Sequence, residues 1–308
     1  MQRGPGGDRG GHGPGGSLRG RPLGPAQLCH LRRPPGGGGA PAGRGADPDR
    51  PRHPGGGAVT PTKGDRGGKG RGGQDRSGGA HGAPESPVDA ATTRWIEDRY
   101  APEDAALRDL RTRLVEDPEL PSIQLPRIAA RTIRFLLDLA GARRVVEAGT
   151  LAGYSALWIA RALPEDGELL TLEREPDRVE RARTELAGAG LGTASRPRVD
   201  VQQAEAGAEL EGLAEAVEAG ESAPWCAVFL DADKEGLPGY ARSARRMLRP
   251  GGLLLVDNVL WKGRVVAGAT GDSGTAAILR LHEEVQAARE WDALVLPVGD
   301  GLLVARRL

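Results

Sequence analysis

The stretch FLDADKEG, residues 229–236, ends an apolar run in two carboxylates and an ammonium, Asp231, Asp233 and Lys234. Isolated charges cost on the order of several kcal/mol to bury, so the cluster is either a solvated strand exit or a holder of something. A second cluster, Asp257-Asn258, closes the next apolar run, GLLLVDNV. Asp231, Asp257 and the Asn258 amide carbonyl make a hard, all-oxygen set that suits Mg2+, Mn2+ or Ca2+ rather than zinc. Three such ligands leave about three of the six octahedral positions of Mg2+ to water and substrate oxygens. After residue 88 the chain has a single histidine, His282, which argues against a His-based zinc site. Lys234 lies close enough to serve as a base, and a neighbouring cation favours its neutral form. The bland reading is that Asp231 and Asp233 cap the next segment while Lys234 is a surface lysine. It suffices for one acidic cluster but not for two on neighbouring strands.

A second group of residues surrounds EAGTLAGYS, residues 147–155. Gly149 and Gly153 between a strand and a helix let the backbone approach a ligand and present free amides. The spacing is Gly-x-x-x-Gly, not the pattern that cradles a pyrophosphate, and Glu147 would repel a diphosphate. Glu173 follows the next apolar run, about 20 residues on, where a ribose-binding acid belongs in nucleotide-binding α/β folds. An adenosine cofactor without phosphates, such as S-adenosylmethionine, fits this combination. The competing reading of Glu173 is a solvated carboxylate at the start of the EREPDR helix, favoured there by the macrodipole.

The elements that must position these residues follow from apolar periodicity. Short runs (RVVEAG, ELLTLE, RVDVQQ, WCAVFLDA, GLLLVDNV) alternate with helical segments, which implies a parallel sheet with helices on both faces. DALVLPV and GLLVARRL flank Gly-Asp-Gly, an antiparallel hairpin at the C-terminal end. The expected fold is α/β, with a mostly parallel seven-stranded sheet. Two helices precede the first strand: APEDAALRDLRTRLVED, with a stripe of Ala106, Leu107, Leu110 and Leu114, and RIAARTIRFLLDLAGA. In such sheets ligands sit at the carboxyl ends of the strands, which is where the acidic residues and Lys234 fall.

Composition divides the chain. Residues 1–88 hold 14 Lys/Arg against 6 Asp/Glu and 28 of the 48 glycines, with no Phe, Trp or Tyr. Such a segment cannot bury enough apolar surface to offset its ordering entropy and reads as a disordered tail. The rest carries 28 basic and 36 acidic residues. A basic tail could attract nucleic acid, but it lacks aromatics for base stacking and the remainder is acidic, so nucleic acid is not the expected partner. A functionless extension or an over-long gene reading starting upstream of Val88 is the simpler account. The expected domains are thus 1–88, tail, and 89–308, catalytic. No run reaches the ~18 apolar residues of a membrane span, and Cys29 and Cys226 make no disulfide framework. A cytoplasmic setting without a membrane is expected.

RVVEAGTLAGYSALWIARALPEDGELLTLE, FLDADKEGLPGY, MLRPGGLLLVDNVLWKGRV and LPVGDGLLVARR together resemble the bacterial cation-dependent O-methyltransferases, relatives of catechol and caffeoyl-CoA O-methyltransferases. The resemblance runs from about Thr93 to the C-terminus and implies a Rossmann-like methyltransferase fold. It implies that Asp231, Asp257 and Asn258 ligate the cation and that Lys234 is the catalytic base. It implies that Glu147, Gly149, Thr150 and Ser155 surround the methionine part of S-adenosylmethionine, with Leu125 behind it. Glu173 would hold the ribose, Ala206 would lie against the adenine, and Asp233 would also face the cofactor. Two places differ: IQLPRIAA lacks the family's Glu-Gln-Gly before the first strand, and Ala204-Glu205 stands where a glycine is usual. The implied reaction is methylation of a small catechol-like phenol, by an enzyme expected to be a homodimer. Trp261 is a candidate substrate wall and Trp158 a candidate core residue.

Two other functions remain open on the sequence. An NAD(P)-dependent oxidoreductase would need a pyrophosphate turn and a Tyr/Lys donor pair, and GTLAGY lacks the former. A non-catalytic binder tethering RNA through its tail would have no need of Asp231, Lys234, Asp257 and Asn258 together.

Overall fold

The computed structural model describes residues 89–118, 125–268 and 271–308. The tail expected over 1–88, with Cys29, lies outside the described residues. Of the unit Arg32–Arg94 only the last residues are described, where the Thr92 N–H donates to Asp89 Oδ1 at 2.7 Å.

Seven strands form one sheet in the order β3-β2-β1-β4-β5-β7-β6. They are β1 (Arg144–Ala148), β2 (Glu168–Glu173), β3 (Arg198–Gln203), β4 (Trp225–Leu230), β5 (Leu248–Val256), β6 (Trp291–Leu296) and β7 (Leu302–Arg307). The first five are parallel, and β7 runs antiparallel to both β5 and β6. The mostly parallel sheet and the C-terminal hairpin are therefore as the sequence implies. Order reverses between β1 and β4, the switch point where α/β sheets open a crevice.

Helices cover both faces. On one side lie α2 (Ala105–Glu116), α3 (Arg127–Leu139), α4 (Tyr154–Ala160) and α5 (Pro176–Gly188); on the other lie α6 (Ala206–Glu218), α7 (Leu237–Met247) and α8 (Ser273–Ala287). A strand buried on both faces reads as a continuous apolar run. WCAVFL of β4 is buried throughout, with Ala227 and Phe229 in one core and Val228 and Leu230 in the other. Helix α2 starts at Asp104, whose side chain accepts the Leu107 N–H at 3.0 Å, an N-cap that satisfies one orphan donor. Its stripe Leu107, Leu110 and Leu114 is buried, with Ala106 packed at the margin. Trp158 is fully buried, as its expected core role requires. A helix preceding these, α1 (Ala90–Tyr100), was not legible from periodicity, because it buries no residue.

Candidate active site

The first turn is built on conformational freedom that only glycine supplies. Gly149 has φ +99°, and a Cβ there would lie 2.3 Å from the Asp231 carbonyl oxygen. The ends of β1 and β4 thus touch with no side chain between them. Leu151, inside the turn, also has positive φ, 51°, and its N–H donates to Glu173 Oε2 at 2.9 Å. Glu173 Oε1 accepts the Arg174 and Glu175 N–H groups at 3.0 and 3.1 Å. The reading of Glu173 as a solvated carboxylate at the start of α5 is not met: it is buried, the N-cap of α5 is Glu175, and the Glu173 carboxylate fastens the turn and the segment before the helix while bordering the cavity described below. Three bonds leave about one of the roughly four acceptor sites of a carboxylate open.

Glu147 faces Thr171 across the β1–β2 ladder. Thr171 donates its hydroxyl to Glu147 Oε2 at 2.5 Å, and Thr150 and Thr171 hydroxyls are 2.6 Å apart, so Thr150 is the donor of that pair. Glu147 is fully buried, and its Oε1 has no hydrogen-bond partner among the described residues. Burial pushes its carboxyl up to about 7, against the Ser155 and Thr171 hydroxyls, which favour the anion.

At the other side of the switch point, Leu230 pairs with Val256, so Asp231 and Asp257 leave neighbouring strands at the same level. Strands stand about 4.8 Å apart in this direction. Lys234 Nζ donates to Asp231 Oδ1 at 3.1 Å and lies 5.9 Å from the centre of the Trp261 ring. Burial raises the Asp231 carboxyl despite Lys234. Burial, then the Asp231 charge, pushes Asp257 up to about 7, and Asp300 nearby adds in the same direction. Asp257 Oδ2 accepts the Asn258 amide N–H at 2.9 Å, while its Oδ1 is buried and has no hydrogen-bond partner among the described residues. Asn258 takes φ +61°, a conformation asparagine tolerates better than most residues. Asp233 is engaged differently: Oδ2 accepts the Gly236 N–H at 2.8 Å and Oδ1 the Tyr240 hydroxyl at 2.6 Å. The capping reading is thus correct for Asp233, which nonetheless reaches the cavity wall.

A cavity of about 600 Å³ opens along these strand ends. It is bordered by Gly149, Thr150 and Ser155 after β1, by Glu173 after β2 and by Ala206 at the start of α6. Asp231, Asp233, Lys234 and Asn258 border it after β4 and β5, and Leu125 lies on its wall. Of the candidate site residues singled out from sequence, Glu147, Gly153 and Asp257 do not line it; the two acids are buried behind it, and a Cβ on Gly153 would meet Leu186 Cγ at 3.2 Å, so that glycine serves packing against α5. Trp261 forms wall, as expected. Arg174, Arg178, Glu205 and Asp272 border it too and were not anticipated. The first two follow Glu173 into α5, a position that the helix start alone could have flagged. His282 is occupied by the Val259 carbonyl, 3.0 Å from Nε2.

Among the described residues no group of three or more His, Cys, Asp and Glu side chains gathers. The set Asp231, Asp257 and Asn258 has two carboxylates and one amide. Half-buried Asp231 and buried Asp257 face a single ammonium, and one Asp257 oxygen has no partner among the described residues. A hard divalent cation fits that donor set and charge.

A doubly covered sheet in this order, with an acid after β2 and a cavity at the switch point, is the Rossmann-like arrangement that binds nucleoside-bearing ligands. Residues 97–308 match the family described as O-methyltransferase, and the chain belongs to that family of enzymes. The catechol O-methyltransferase of Niastella koreensis is 33% identical over 202 residues, 66% of this chain and 87% of that protein. Among solved structures, the O-methyltransferase TomG of Streptomyces achromogenes, in complex with SAM, is 31% identical. Its alignment covers 70% of this chain and 96% of that one, with a TM-score of 0.63. The O-methyltransferase of Bacillus cereus, in complex with SAH, is 28% identical, covering 71% and 97%, with a TM-score of 0.63. Among the described residues no helix is long and apolar enough to cross a membrane.

Proposed function

We propose that this chain transfers the sulfonium methyl of S-adenosylmethionine to a hydroxyl of a small catechol-like phenol, with a divalent cation (Mg2+, Mn2+ or Ca2+). The observation that carries the reading is the pair of half-buried Asp231 and buried Asp257, with an Oδ1 on Asp257 that has no partner among the described residues and Lys234 beside Asp231 at the cavity wall. The names of the Niastella relative and of the SAM-bound neighbour support the same acceptor and donor.

Asp231, Asp257 and Asn258 would hold the cation, which when bound supplies a Lewis acid that favours the acceptor's anionic oxygen. Glu173 accepts a ribose hydroxyl through its remaining acceptor site, and Ala206 packs against the adenine. Glu147, Thr150 and Ser155, with Gly149 and Leu125, take the methionine part, Glu147 acting from behind the Thr150 and Thr171 hydroxyls. Asp233 faces the cofactor while holding Tyr240. Lys234 takes the phenol proton at Nζ. The phenol oxygen attacks the methyl carbon, the C–S bond breaks as the C–O bond forms, and S-adenosylhomocysteine leaves. Holding the two reacting atoms at near-attack distance supplies much of the acceleration.

The same reading takes residues 89–308 as the catalytic unit, a homodimer as the assembly and the cytoplasm as the setting. Exposed Trp95 and Tyr100 on α1 support a contact through the N-terminal helices. The test is transfer of a radiolabelled methyl group from S-adenosylmethionine to caffeic acid by the full chain, with Mg2+ and with EDTA. Activity abolished by EDTA is expected; activity indifferent to it removes the cation from the reading. The 89–308 fragment, run alongside, is expected to match the full chain.

A further inference from the structure

The Gly299-Asp300-Gly301 tip of the C-terminal hairpin has no part in the reaction above, yet it grips the loop that follows β5. In that loop Asn258, Trp261 and Lys262 all have positive φ, 61°, 49° and 54°. Left-handed backbone crowds the Cβ of any residue but glycine, and such conformations persist only where the surroundings over-determine them. Here the surroundings are the hairpin tip. The Val259 N–H donates to the Gly301 carbonyl at 3.1 Å and the Leu260 N–H to the Asp300 carbonyl at 3.0 Å. The Lys262 N–H meets both oxygens of the Asp300 carboxylate, at 2.7 and 3.0 Å. The approach leaves no space for a side chain on Gly301, whose Cβ would lie 2.5 Å from Leu260 Cγ.

Gly299 and Gly301, at φ 58° and 87°, already allow the hairpin its turn. Among the described residues the Asp300 carboxylate bonds nothing within its own hairpin. It serves the neighbouring loop, and an ionised acceptor makes a stronger bond to an N–H than a neutral one.

We infer that Asp300 is a positioning residue. Its carboxylate holds the 258–262 loop in its left-handed form, and so sets the Asn258 amide and the Trp261 ring against Lys234 and the cavity. The inference rests on the proposed function in so far as Asn258 is a cation ligand.

The experiment compares full-length wild type, Asp300→Ala and Asp300→Asn. Hydrogen exchange of the peptide spanning 258–264 is measured without cation or acceptor. Mn2+ binding is followed by electron paramagnetic resonance, and S-adenosylmethionine affinity by calorimetry. Asp300→Ala is expected to open 258–264 to exchange and weaken Mn2+ binding about tenfold, the lower end of what losing a supporting partner costs a metal site. Affinity for S-adenosylmethionine should stay within about twofold, a margin below the tenfold step that about 1.4 kcal/mol represents. Asp300→Asn, which keeps a carbonyl acceptor, should restore most of both losses. Unchanged exchange in Asp300→Ala overturns the inference. So does a parallel loss of cofactor affinity, which would make the residue a general prop. Wild type that binds no Mn2+ would instead refute the cation reading, and the exchange result would still decide whether Asp300 holds the loop.

Discussion

Glu147→Gln isolates what burial of one carboxyl does to this fold. A carboxyl carried from 4.5 to about 7 disfavours its anion in the folded chain by about 3 kcal/mol, at about 1.4 kcal/mol per pH unit. Between those two pH values the folded chain binds more protons than the unfolded one, so stability falls as pH rises and levels off above about 7. Gln removes the titration but keeps an acceptor for the Thr171 hydroxyl. The cost of placing an amide beside the unpartnered oxygen position does not vary with pH and cancels in a difference. Urea unfolding of both proteins, without cofactor, at pH 5 and pH 8 gives that double difference. The wild type should lose about 2 to 3 kcal/mol more than the variant over this interval, the part of the linkage that develops there. Parallel pH profiles would show that Glu147 titrates normally, and the account of its desolvation would be wrong.

Lys234→Ala should lower kcat by about 100-fold or more, the range for a lost general base. S-adenosylmethionine affinity by calorimetry should hardly move, and a kcat within threefold of wild type would remove Lys234 from the proton transfer. Gly149→Ala forces a Cβ to within 2.3 Å of the Asp231 carbonyl at φ +99°. The strain and overpacking together should cost about 2 to 4 kcal/mol, read as a lower urea midpoint, with cofactor binding weakened as well; wild-type stability would contradict the contact.

The central strands were legible because burial on both faces writes continuous apolar runs, as in WCAVFL. The rule that ligands sit at the carboxyl ends of such strands then placed the acidic residues along one rim. Helix α1 left no such trace, since none of its residues is buried. Spacing also brought Asp231, Lys234 and Asn258 to one cavity, but depth is not written in spacing. Glu147 sits behind the wall because it lies inside β1 opposite Thr171 of β2, and Asp257 because it follows directly on the buried end of β5. Which of two stated roles Asp233 takes was not decidable either, since a carboxylate that caps a turn and one that faces a cavity are the same residue in sequence. Asp300 read as a turn residue because its partner, the Lys262 N–H, is 38 positions away.

The contact of Gly149 with the Asp231 carbonyl divides the molecule into two workshops with one shared wall. The β1, β2 and β3 half holds the turn, Glu173 and the α5 and α6 starts; the β4, β5 and β7 half holds the carboxylate pair, Lys234, Trp261 and the hairpin brace. Under the proposed function, variation in the second half, Asp233 apart, would retune what is received without rewriting how the donor is carried. On that reading, engineering toward new acceptors belongs on the β5 loop beyond Asn258 and on the α8 start, while the glycine at the seam is best left alone.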